Sequence, residues 1–127
     1  YLFGLTGDNF DTMKKTYDLS KELNTIAWNA YAVMALPGSQ MYHDAIKSGH
    51  KMPEDYAGYS FHSYNTQPLP TEHLAPSEIL KYRDETWHDY HTSEKFLNKI
   101  QDKYGRIARE NIVNMTKIKL KRKILGD

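Results

Sequence analysis

The sequence predicts an α/β chain that is mostly helical, with two short parallel strands and four to five helices. Three observations carry this. Residues 1–49 alternate apolar stubs with amphipathic stretches, the mark of parallel α/β units. Residues 76–127 place apolar side chains at helical spacing. Residues 50–75 follow neither a strand nor a helix period.

The stub Tyr1-Leu2-Phe3 is too short to be a whole strand and reads as the end of one, with Gly4 and Gly7 forming the turn behind it. "GDNFDTMKKTYDLSKELN" then reads as a helix. Asp8 is its expected N-cap, Asp11 three residues on resembles the acidic half of a capping box, and Asn24 is the stop. Phe10, Met13, Tyr17, Leu19 and Leu23 recur at mostly helical spacing. Residues 26–35, "IAWNAYAVMA", are apolar, contain aromatic and β-branched members, and are too short for a typical buried helix. A buried second strand is predicted there, apolar on both faces. Pro37-Gly38 breaks it, and Ser39 caps a short helix that Gly49 closes.

Residues 50–75 hold three prolines and a glycine, which argue against regular structure. A connection this long is functional or disordered. Tyr56, Tyr59, Phe61, His62 and Tyr64 count against disorder, because disordered tracts are poor in aromatics. The segment is therefore expected to be ordered, irregular and packed over something. Pro76 and Glu78 then open a helix, "SEKFLNKIQDKYG" ends another on Gly105, and "RIARENIVNMTKIKLKRKIL" reads as a last helix. Ile107, Asn111, Met115 and Ile118 make its stripe, with Ile112 and Leu125 nearby.

At 127 residues one domain is the default. A formal net charge of +1 gives no global case for nucleic acid as a partner. No apolar run approaches the roughly 18 residues of a membrane span, and no basic-then-apolar leader is present. A cytoplasmic location is expected. The chain has no cysteine, which excludes a Cys-ligated zinc or iron–sulfur site within this stretch. Lys117, Lys119, Lys121, Arg122 and Lys123 cluster near the C-terminus. They read first as the solvated end of the last helix, whose dipole favours cations there, and second as a nucleic-acid or membrane-surface patch.

Candidate chemistry is sparse. Glu85 and His88 make one Glu-x-x-His step, but a helical di-iron site needs two such steps and two further glutamates. With His91 they read as a surface helix face, and no metal is expected in this chain. His62 and His73 read as hydrogen-bonded structural histidines before ligand contacts. Gly4 and Gly7 around Thr6 suggest a phosphate cradle, but Asp8 would repel an anion there, and a tight strand-to-helix turn is the favoured reading.

The order of segments adds a family. "FGLTGDNFDTM" resembles the "FGLPGET" turn of radical S-adenosylmethionine (radical SAM) enzymes, with Thr6 where Pro is usual and Asp8 where Glu is usual. "ALPGSQMY" resembles the exit of their next barrel strand, with Ala35 replacing its first proline. "GYSFHSYNTQPLPTEHLAPSEILKYRDETWHDYHTSEKFL" resembles the C-terminal region of the subgroup with an N-terminal cobalamin-binding domain, which includes anaerobic oxidative cyclases and methyltransferases.

The resemblance implies a C-terminal fragment of a (β/α) TIM-like barrel. Residues 1–49 would be its last strands and helices, 50–75 an aromatic irregular segment, and 76–127 a helical extension. It implies an iron–sulfur oxidoreductase or methyltransferase using S-adenosylmethionine, a [4Fe–4S] cluster and, in the subgroup, cobalamin. The cluster ligands and cobalamin domain would lie in a preceding part of the same protein, which is the expected partner along with a small-molecule substrate. The matching S-adenosylmethionine positions are Leu2, Gly4 and Asp8, then Met34, Ala35 and Leu36. Tyr59, His62 and Tyr64 would lie near substrate at the barrel mouth. Alone, the fragment would be inactive and would self-associate through its open strand edges. The competing expectation is a non-catalytic helical interaction module with an aromatic partner-binding loop and a basic tail.

Overall fold

A computed structural model describes residues 1–127. Strand β1 is Leu2–Phe3, helix α1 Phe10–Leu23, strand β2 Tyr31–Ala32 and helix α2 Gln40–Lys47. A 3-10 turn spans Tyr56–Tyr59. Helices α3 (Pro76–Thr92), α4 (Glu94–Tyr104) and α5 (Arg106–Thr116) follow, and a 3-10 turn at Lys123–Leu125 ends the chain. The strands pair in parallel, Leu2 with Tyr31 and Phe3 with Ala32. Tyr31 N–H donates to Tyr1 O at 3.1 Å and Val33 N–H to Phe3 O at 2.9 Å. The mostly helical reading with two short parallel strands therefore holds, and five α-helices form. No helix is long and apolar enough to cross a membrane.

Local chemistry moves two boundaries. Asn9, not Asp8, caps α1: its side chain accepts from Thr12 N–H at 3.0 Å, while Thr12 Oγ1 accepts from Asn9 N–H at 3.0 Å. Asp8 sits one residue early and serves the turn instead. Its Oδ2 accepts from Gly4 N–H at 3.0 Å and Leu5 N–H at 2.9 Å, and its Oδ1 accepts from the Thr12 hydroxyl at 2.7 Å. The amides that would cradle a phosphate are thus occupied by the chain's own carboxylate. The second strand is shorter than residues 26–35. Trp28, Ala30 and Ala32 alternate inward, as in a strand, but pairing lasts only as long as the two-residue β1. Its apolar character on both faces is confined to residues 32–35, which are buried without a break.

The irregular segment is ordered, as composition implied. Tyr31 lies 4.6 Å from Phe61 between ring centroids, and Leu69 N–H donates at 3.3 Å to Val33 O, just past the end of β2. The core joins Phe3, Met13, Trp28, Ile79, Leu80, Tyr90 and Phe96, so α1, α3 and α4 cover one face of the strand pair. Trp28 stacks between Tyr1 at 5.8 Å and Tyr90 at 5.1 Å. Its Nε1 is buried without a hydrogen-bond acceptor. The rings of Tyr17 and His91 stand edge-on to it, at 81° and 80°.

The last helix is shorter than predicted. α5 stops at Thr116, Lys117 turns, and residues 118–122 form no helix or strand. Ile118 and Leu125 are therefore outside the helix, and the basic run is not its solvated end. The cause is Arg122, which is 0% exposed and holds the tail against α3. Its Nε and Nη2 donate to the two oxygens of Asp84 at 2.9 and 3.1 Å. Its Nη1 reaches Phe61 O, Ser63 O and the Thr66 hydroxyl at 3.1, 3.0 and 2.9 Å. A helix continued past Thr116 would not return the guanidinium to these acceptors.

Two glycines in the first turn separate backbone strain from crowding. Gly4 (φ +85°) and Gly7 (φ +82°) both sit where L-residues are strained, but only at Gly4 would a Cβ meet a neighbour, Ile79 Cγ2 at 2.8 Å. Gly7→Ala is expected to lower stability by about 1 kcal/mol, and Gly4→Ala by a further ~1–3 kcal/mol. Urea unfolding of both variants checks this. Equal losses would mean that Ile79 yields freely.

Candidate functional site

Parallel pairing places the turn after β1 and the segment after β2 at the same end of the strand pair. That brings Gly4 and Asp8 to the end that also carries Met34, Ala35 and Leu36. Met34 and Ala35 are buried, whereas Leu36 and the β1 residue Leu2 are exposed. A cavity of about 580 Å³ is built from segments that follow the strands, with Thr6, Met41, Asp44, His50, Thr71 and Glu72 on its wall. None of the six S-adenosylmethionine positions lines it. Asp8 borders it through its carbonyl, which accepts from the Thr71 hydroxyl at 2.8 Å.

The three residues expected near substrate pack on different elements. The Tyr59 ring lies 6.4 Å from that of Tyr42 on α2. The Tyr64 hydroxyl donates to Asp127 O at 3.2 Å. His62 instead lines a second cavity, of about 750 Å³, between α3, the residues before β2 and the tail. Trp28 and Asn29 precede β2, so this cavity opens at the other end of the strand pair.

α3 builds the floor of this second cavity. Its inward stripe runs Ile79, Arg83, Thr86 and Tyr90, so the helical repeat puts a guanidinium in a core position. Arg83 Nε donates to Ala30 O at 2.7 Å and Nη1 to Asp84 Oδ1 at 2.8 Å. Nη2 makes only a long bond of 3.4 Å to Asn29 Oδ1. Trp87 and His91 stand beside it, 4.6 Å apart between ring centroids. His91 Nδ1 lies 2.8 Å from Trp87 O. A carbonyl only accepts, so Nδ1 carries the proton, and in the neutral ring Nε2 keeps its lone pair. Burial pushes the His91 pKa down; the Trp87 carbonyl opposes this, and the Arg83 charge adds to the lowering. Burial, then Arg83 and Arg122, also lower the His62 pKa. Near neutral pH both imidazoles are therefore uncharged hydrogen-bonding groups beside a buried cation.

Glu85 and His88 are exposed on α3, as the surface reading held, but His91 is buried. No group of three or more His, Asp or Glu is placed to hold a metal ion. Sequence reasoning missed Arg83, Asp84, Trp87 and Arg122. A signal existed for Arg83 in its spacing from Ile79, Thr86 and Tyr90. No signal marked Arg122, which looks like any member of a basic run. No family model, curated protein or solved structure matches this chain.

The His91 shift makes a stability prediction. Its folded pKa lies below the unfolded value of about 6.5. The unfolded chain then binds the proton more readily, so stability is complete above pH ~6.5 and falls as pH drops toward the folded pKa. His62, which is exposed, adds a smaller effect of the same sign. Chemical denaturation between about pH 5 and 7 is expected to show this loss. His91→Phe, which keeps a ring in place, should flatten it, and His62→Gln should leave most of it. An unchanged slope in His91→Phe would remove His91 as the cause.

Proposed function

We propose that this chain is the C-terminal part of a radical SAM iron–sulfur oxidoreductase or methyltransferase acting in the cytoplasm, where it contributes part of the S-adenosylmethionine and substrate pocket. One observation carries the reading. Consecutive strands joined by helix α1 lie side by side in parallel, their following turns meet at one end, and helices α1 and α3 share one core with them. That is the local geometry of two neighbouring barrel strands, and a barrel places its chemistry at this end. In this reading exposed Leu2 and Leu36 give the adenine apolar surface, and Met34 and Ala35 offer strand-end backbone. Asp8 acts as a positioning residue, because both its oxygens already hold the turn. The cluster and S-adenosylmethionine would supply the radical chemistry, with cobalamin as a methyl carrier in the subgroup. The cluster ligands would come from the preceding part of the protein.

A second reading, a non-catalytic interaction module, is favoured by the outer face of α5 and the tail. Ile107 and Ile118 are 73% and 72% exposed there, beside exposed lysines 117, 119, 121 and 123. The readings separate in the full-length protein reconstituted anaerobically, with 5′-deoxyadenosine formation as readout. Leu36→Lys is expected to raise the KM for S-adenosylmethionine about 10–100-fold, the equivalent of one lost Leu contact, with the cluster spectrum unchanged. The 127-residue chain alone is expected to run as a dimer by light scattering, through its open strand edges and residues 27–34 above all. An unchanged KM would reject the pocket assignment. A monomer at high concentration would reject self-association.

A further inference from the structure

We propose that the cavity between α3 and the C-terminal tail is a separate binding site for a small organic carboxylate with a flat apolar body. The first argument is charge. Arg83 is 4% exposed and Arg122 0%, and the only carboxylate that either guanidinium meets is Asp84; Asp127 accepts from the Arg122 backbone N–H, not from its side chain. Two buried cations on one anion leave one positive charge without a counter-ion, and buried charge is costly unless paired.

Arg83 is the member that is short of partners. Arg122 places each of its nitrogens on at least one good acceptor, with Nε and Nη2 both on Asp84. Arg83 meets Ala30 O, Asp84 and, at 3.4 Å, Asn29. A guanidinium has five N–H groups, so two of those on Arg83 have no acceptor in the protein. Arg83 is also the one that lines the cavity, with Lys117 and Lys119 on the tail wall. A carboxylate accepts two parallel bonds from a guanidinium in a fork geometry.

The remaining wall selects the body of the ligand. Trp87 and His91 offer ring surface, and Met115 at the end of α5 lines the cavity with Ile118 and Leu120 of the tail. The volume, about 750 Å³, lies within the range of small-molecule sites. Burial first, and Arg83 after it, hold the pKa values of His62 and His91 down, so neither ring adds a positive charge near neutral pH. None of these residues is one of the six S-adenosylmethionine positions, and only His62 is shared with the residues expected near substrate. Either claim can fail without the other.

Both tryptophans of the chain, Trp28 and Trp87, line the cavity. Their indole N–H signals, with the Arg83 Nε–H, are therefore direct reporters in ¹⁵N-labelled full chain. Phenylacetate is expected to shift the Trp87 and Arg83 signals saturably. Its neutral analogue 2-phenylethanol should bind at least ~10-fold more weakly, having lost the charge-assisted pair. Inorganic phosphate, which lacks the apolar body, should also bind more weakly. Arg83→Met should abolish phenylacetate binding. Should that variant fail to fold, Ile118→Glu decides, because the position is exposed and a carboxylate there should weaken binding about 10-fold. Absence of a saturable shift, equal affinity for 2-phenylethanol, phosphate binding as tightly as phenylacetate, or an unaffected Ile118→Glu variant would each overturn the proposal.

Discussion

The Arg122–Asp84 pair holds three separate parts of this chain together. Asp84 lies on α3, 38 positions before Arg122, and the same guanidinium reaches carbonyls and a hydroxyl of residues 61–66. Removing one partner of a buried ion pair costs about 3–5 kcal/mol, chiefly because the other charge is stranded. Here the stranded group would also leave the irregular segment without its anchor, since that segment has a 3-10 turn but no long helix or strand of its own. The course of the tail follows from the same contact. It passes over α3 only because Arg122 is drawn inward.

The two cavities depend on this arrangement to different degrees. The one that follows the strands is shaped by α2, the Asp8-held turn and residues 69–72. The other exists only while the tail stands opposite α3, and His62 reaches its wall from the segment that Arg122 anchors. Asp84 accepts from both guanidiniums, so the tail anchor and the floor of the cavity are electrostatically one unit.

Much of the scaffold was legible because its signals are local. Ser39 caps α2, Pro76 with Glu78 opens α3, and Gly105 closes α4, each through groups within a few residues. The one-residue error at Asp8 arose where two neighbouring polar residues compete for the cap, and the choice depends on which amides the turn presents. The length of β2 was not legible, since a strand ends where its partner ends. The tail was misread for a related reason. A basic run reads as solvated unless its acceptor is known, and Asp84 is distant in sequence. Of the site, the inward position of Arg83 was written in the helical repeat of α3. The meeting of His62 with Arg83 was not, because it is made by long-range contacts of an irregular segment.

Hydrogen exchange on Arg122→Met tests the central claim most directly. Met keeps an apolar stem of similar length and removes every donor. The account predicts that amides of Gly58, Thr66, Gln67 and Lys123 lose protection together, while the amides of α3 and α4 keep theirs. These four N–H groups bond to Asp55, Ser63, Gly58 and Tyr64 carbonyls in the segment that Arg122 anchors. Protection unchanged at all four, or lost equally throughout α3 and α4, would contradict it.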